Sequence, residues 1–167
     1  YVTDDPVWET VLDVDALARA EGENWVWKGG FSLPPDHRRA MVVLSRGGGD
    51  ASVYREFDLV TREFVADGFE VPEAKSRVSW RDENSLWVGT DFGEGSLTDS
   101  GYPRVVKLWH RGTPLSEAET IFAGEKTDVA VGAYSVHAPE GRYHLVYRTP
   151  EFFRGIYYLL LDGHLVH

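Results

Sequence analysis

SRVSWRDENSLWVGTDFGEGSLTDSGYPRVVKLWHRGTPLSEAETIFAG, residues 76–124, decides the fold. Residues 76–80 form a short alternating run, and Arg81, Asp82, Glu83 and Asn84 make a polar turn. Residues 85–90 are a second strand, with Leu86 and Val88 on one face and Trp87 on the other. A Gly/Ser/Asp-rich loop over 91–103 leads to a third strand, 104–110. A turn at 111–114 precedes a short fourth strand at 120–123. Short strands broken by turn residues predict an all-β repeat rather than strands alternating with helices.

The same plan recurs on both sides. Upstream, strands are expected at 25–33, 40–45, 53–58 and 63–65, joined by a Pro34-Pro35 turn, the glycine loop 46–50 and a turn at 60–62. Downstream they are expected at 129–137, 142–148, 155–161 and 164–167, the last two joined by the hairpin signal Asp162-Gly163. Each third strand closes at an equivalent place, Asp58, His110 and Asp162, and the interval is about 52 residues both times. Four-stranded units at this spacing are the sequence signature of propeller blades; an unrelated β-sandwich has no reason to keep such a register. The predicted fold is a partial β-propeller of about three four-stranded antiparallel blades, at 25–68, 69–124 and 125–167. Residues 1–24 are expected to end a preceding blade and link to the next. Within them Val7, Glu9 and Val11 alternate with Trp8, Thr10 and Leu12, and 15–20 can form a short helix with Asp15 as N-cap and Gly22 as stop. Three blades do not close a ring. The chain is therefore expected to be a piece of something longer, and a fragment with uncovered blade faces is expected to self-associate.

Composition narrows the partners. Hydrophobic residues make up 43% of the 167 and charged residues 26%, ordinary for a globular protein, and eight Phe, eight Tyr and six Trp against one Met suit a β-rich core. A formal net charge of −10 without a basic cluster argues against nucleic acid. No apolar run reaches the roughly 18 residues of a membrane span, so no membrane partner is expected. The absence of cysteine removes disulfides, thiolate nucleophiles and Cys-based zinc sites. A cytoplasmic location is expected.

Motifs of catalysis are weak. Asp91-Phe92-Gly93 spells a kinase metal-binding tripeptide, but no strand lysine or catalytic loop of that set accompanies it. Gly47-Gly48-Gly49 and Gly93-Glu94-Gly95 do not sit between a strand and a helix N-terminus, as a phosphate cradle requires. The six histidines lack metal-ligand spacing, although His137 and His144 are placed to face each other across a hairpin. No serine has glycine at both −2 and +2, so no nucleophile elbow is present. The carboxylates read as turn and edge residues rather than a buried acid/base pair. No catalytic residue, metal site or cofactor is predicted for this chain.

A more specific signal lies in Gly89-Thr-Asp-Phe-Gly-Glu-Gly-Ser-Leu-Thr-Asp-Ser-Gly-Tyr-Pro-Arg104, followed by Val106-Lys-Leu-Trp-His-Arg-Gly-Thr-Pro-Leu115. Together with Trp8-Glu-Thr-Val-Leu-Asp13, Asn24-Trp-Val-Trp27 and the Ser-Leu-Pro-Pro-Asp36 turn, it resembles the N-terminal propeller of bacterial prolyl oligopeptidase-like serine peptidases. The resemblance implies a seven-bladed propeller that caps an α/β-hydrolase domain and limits access to short peptides. This chain would supply the end of the first blade and the next three. Its partners would be the hydrolase domain, which carries Ser, Asp and His, the remaining blades, and an oligopeptide substrate. By the same resemblance Arg148 matches a cleft-facing arginine, and Lys75 stands where the family has an apolar cleft residue. The alternative is a non-catalytic propeller that binds a protein or another ligand.

Overall fold

The computed structural model describes residues 7–167, and it forms three antiparallel sheets in chain order. The first holds β1 (Trp25–Ser32), β2 (Arg39–Arg46), β3 (Ser52–Asp58), β4 (Glu63–Phe64) and β5 (Glu70–Ala74). The second holds β6 (Arg77–Asp82), β7 (Ser85–Gly89), β8 (Val105–His110) and β9 (Glu119–Ala123). The third holds β10 (Ala130–Ala138), β11 (Gly141–Glu151), β12 (Arg154–Leu161) and β13 (His164–Val166). Each is an up-and-down meander, the form of a propeller blade. The third strands end at Asp58, His110 and Leu161, the last one residue before the expected place. Asp162 (φ 48°) and Gly163 (φ 80°) both enter the left-handed region there, as a two-residue hairpin requires.

Residues 69–74, placed by the sequence at the head of the second blade, hydrogen-bond instead to the first sheet. The outer strand of that sheet is split: β4 pairs with the end of β3, and β5 with its beginning. Glu56 organises the break. Its backbone N–H donates to the Phe69 carbonyl, its carbonyl accepts from Val65 N–H, and its carboxylate accepts from Phe69 N–H at 2.9 Å. A side chain on Gly68 would meet Val65 Cβ at 2.8 Å, so this close approach needs glycine.

The N-terminal segment differs from expectation. Residues 1–6 of the proposed strand tail lie outside the described residues, and residues 7–13 form no strand. The helix α1 runs Val14–Glu21, capped by the Asp13 carboxylate on Ala16 N–H at 2.8 Å. Asp15 falls inside its first turn, and Gly22 ends it in the left-handed conformation. Leu12, Val14, Leu17 and Ala18 pack on Trp25, Val42, Leu44, Val53 and Phe57, so the helix covers one face of the first sheet.

Alternation along β2 puts Val42 and Leu44 on the helix side and Met41 on the other, facing the second sheet. There Leu33, Met41, Phe69 and Val71 meet Trp80, Leu86, Val88 and Trp109. Phe69 lies edge-on to Trp80 and Trp109, with centroids 6.0 and 4.9 Å apart. All five residues of β7 are buried, because neighbouring sheets cover both its faces. Trp87 is consequently enclosed, and its indole N–H donates to Ser135 Oγ of the third sheet at 3.0 Å.

Candidate functional site

The inner strands fix which residues share an end of the molecule. Ser79 Oγ of β6 donates to the Ala133 carbonyl of β10, and Arg142, paired with His137 of β10, donates to the Arg81 carbonyl. β6 and β10 therefore run side by side in one direction. Trp80 Nε1 donates to the Phe31 carbonyl near the end of β1, so β1 shares that direction. The starts of all three strands lie at one rim. That rim also receives the β2–β3, β7–β8 and β11–β12 connections.

Both residues singled out from the resemblance are on this rim. Arg148 pairs with Val131, the second residue of β10, and its Nη2 donates to Asp128 Oδ1 at 2.6 Å. The Asp128 side chain is 1% exposed and that of Arg148 22%. Asp128 Oδ2 also accepts from Glu125 N–H at 2.8 Å, so one buried carboxylate ties β11 to the 124–128 turn. A Cβ on Gly124 would approach Asp128 Oδ2 to 2.5 Å, which explains glycine beside the carboxylate. The hydrogen bond to Asp128, with its charge, raises the Arg148 pKa above the usual guanidinium value. Arg148 is a fixed, permanent cation whose outer edge reaches solvent.

Lys75 lies two residues before β6. Its ammonium is 3.9 Å from Asp50 Oδ2 and 5.0 Å from the centre of the Tyr102 ring. Arg77 covers the same ring at 5.4 Å. Lys75, Arg77 and Lys28 line one cleft of 210 Å³ between the first two sheets, with Tyr54 and Tyr102 in its wall. Burial raises the pKa of Tyr54 and of Tyr147, Arg77 opposing it in both cases, so both hydroxyls stay protonated donors. The structure thus gives Lys75 two cationic neighbours that the resemblance did not single out. Nothing in their spacing, 28, 75 and 77, announces the cluster. Phe152 and Phe153, in the β11–β12 turn of the same rim, are 78% and 98% exposed and stack edge-to-face at 5.1 Å.

The histidines are arranged differently from the sequence reading. His137 pairs with Arg142, while His144 pairs with Ser135 and shares a 2.9 Å hydrogen bond with its Oγ through Nδ1. The strand register separates the two imidazoles by one residue pair. Ser135 Oγ accepts the Trp87 N–H and so links that indole to the His144 ring. Ser32 and His37 make a second such contact at 2.7 Å. No carboxylate hydrogen-bonds to either imidazole among the described residues, so neither pair is part of an acid–base relay there. Among the same residues no group of three His, Cys, Asp or Glu side chains is placed to hold a metal. The buried carboxylates Glu56, Asp58 and Asp128 depart from the expected turn-and-edge role, but each has arginine partners and acts in the scaffold.

Residues 2–149 match the family profile described as the prolyl oligopeptidase N-terminal β-propeller domain. The chain is 42% identical over 166 residues to an uncharacterized peptidase of Sinorhizobium fredii, covering 98% of this chain and 23% of that protein. It is 26% identical over 141 residues to an uncharacterized peptidase of Rickettsia prowazekii, covering 80% of this chain and 20% of that one. Among solved structures it resembles a post-proline cleaving enzyme from Rickettsia typhi. The TM-score is 0.85 at 24% identity, over 94% of this chain and 24% of that chain. The chain thus spans less than a quarter of the length of these relatives. A profile match over most of the chain, joined to three blade-like sheets in the expected order, makes it a member of the prolyl oligopeptidase family, within its N-terminal β-propeller domain.

Proposed function

We propose that this chain is the substrate-gating part of a prolyl oligopeptidase-like serine peptidase that hydrolyses short proline-containing peptides. The match of residues 2–149 to the family's propeller domain carries the reading. In the proposed arrangement the bond-breaking chemistry, attack by a base-activated serine with oxyanion stabilisation, belongs to an α/β-hydrolase domain of the same polypeptide. This chain contributes selection. Rigid antiparallel blades hold the rim, and the rim presents fixed side chains to a peptide on its way to the serine. A folded protein is too wide to pass such an opening, whereas an extended oligopeptide is not.

Arg148 suits a contact with the substrate backbone, because Asp128 has already fixed its orientation and little side-chain entropy remains to be lost on binding. The exposed Phe152–Phe153 pair on the same rim offers apolar area to the hydrolase domain. A cytoplasmic setting is part of the proposal, to be tested by fractionation. A serine-reactive fluorophosphonate probe separates the parts: the complete gene product should label and this chain alone should not. Labelling of this chain, or an unlabelled complete product, would overturn the assignment.

A further inference from the structure

We infer that the cleft between the first two sheets is an anion subsite that recognises a carboxylate of the peptide substrate. The inference rests on the peptidase reading above and adds the substrate's charge. Lys28, Lys75 and Arg77 converge on one cleft of 210 Å³ in a chain whose formal net charge is −10. Three cations brought together repel one another, so a site that keeps them without matching carboxylates is poised for an anion from outside. The one acid in the wall, Asp50, stands 3.9 Å from Lys75 with a side chain 78% exposed, too distant and too wet to neutralise the group. Lys28 and Arg77 enter no ion pair among the described residues.

Two of the three cations are also held in place. Lys75 and Arg77 both lie against the Tyr102 ring, which orients them at the mouth. The wall therefore offers a planar guanidinium and ammonium groups, while the Tyr54 hydroxyl donates to the Ser76 carbonyl at 3.1 Å and braces the wall behind them. That donor set fits a carboxylate. The cleft opens at the rim that carries Arg148, so a peptide lying across the rim can place a carboxylate in the cleft while its backbone passes the arginine.

A carboxylate can come from the peptide's C-terminus or from a Glu or Asp side chain, and four matched fluorogenic proline peptides distinguish these. They carry Glu or Gln two residues from the proline, each with a free-acid or an amidated C-terminus. With the complete peptidase, the carboxylate peptide should be favoured roughly tenfold in kcat/KM, the scale of one charge-assisted hydrogen bond. The preference should shrink with added salt. The double variant Lys75→Met/Arg77→Gln should lose the preference, read as the ratio of kcat/KM between matched peptides, and Lys28→Gln should weaken it. Loss confined to the free-acid pair assigns the C-terminus, and loss confined to the Glu pair assigns the side chain. No preference in the wild type, or a preference that survives the double variant, overturns the inference. If the complete protein labels with the serine probe yet cleaves none of the four, calorimetric binding of the Glu free-acid peptide to wild type and double variant decides instead. Equal binding, or none, overturns the subsite. If the probe itself fails, the peptidase reading falls on its own, and the same calorimetry still judges the cleft.

Discussion

At the scale of single residues, His144 is the group whose charge matters most near neutral pH. Burial holds its pKa below the usual imidazole value, with Arg81 and Arg142 adding to the effect, Asp82 opposing it and His137 contributing slightly. Its ring packs edge-on against Trp87 at 5.4 Å, so charging it places a cation in the seam between the second and third sheets. The folded value lies below the unfolded one, and the unfolded chain therefore takes up protons first as pH falls. The stability from neutral His144 is complete above about pH 6.5 and drains away as pH drops through the folded value. Asp58 and Asp82 do not confuse this window. Burial raises both, but backbone and side-chain hydrogen bonds outweigh it, and their net lowered values keep their contribution intact until about pH 3.9 and below. Melting temperature followed from pH 8 to pH 5 should fall for wild type and stay flatter for His144→Gln. Parallel curves would show that the imidazole is not responsible.

At the scale of elements, the joint between the first two sheets turns on Glu56 and Arg111. The carboxylate side chain is fully buried, and Arg111 reaches it from the turn after β8 with two hydrogen bonds, at 2.8 and 3.0 Å. The guanidinium also stacks on Phe69 at 4.4 Å and donates to the Glu83 carbonyl. Arg111→Met leaves a buried carboxylate with less compensation and should cost about 3 kcal/mol in urea unfolding. Adding Glu56→Gln should recover part of that loss, and a double variant no better than the single would count against the pairing. None of this was legible in the sequence, where Glu56 reads as one face of an alternating strand and Arg111 as turn. The strands themselves were legible because apolar alternation and turn chemistry are local. β5 escaped because Glu70, Pro72 and Glu73 look like a linker. It can contain proline because it pairs on one side only, where the register slips between Ser52 and Tyr54. The helix cap was misplaced by two residues because Asp13 and Asp15 are both competent caps, and packing of Leu12 and Val14 against the first sheet decides between them. Of the candidate residues, family likeness pointed to Lys75 and Arg148; Lys28 meets Lys75 and Arg77 only across the first two sheets, and Asp128 meets Arg148 only once β10 and β11 pair.

At the scale of the whole molecule, apolar surface remains at both ends of the row of sheets. On the first sheet Trp27 is 51% exposed beside Val26, and on the third Tyr157 is 55% exposed with Val136 and Leu161 also in solvent. Patches of this kind on propeller blades are normally covered by neighbouring blades, so this chain in isolation should associate with itself. Sedimentation velocity across a concentration series should show reversible oligomers, and a clean monomer at high concentration would refute the expectation. The divided outer strand of the first sheet decides what form the oligomers take. β4 offers two residues and β5 five, interrupted where the chain folds back around Glu56. An incoming chain finds no uninterrupted row of amide and carbonyl groups there on which to template itself. Growth into cross-β fibrils is disfavoured at that border, which leaves the short undivided outer strands β9 and β13 as the edges where another chain can pair.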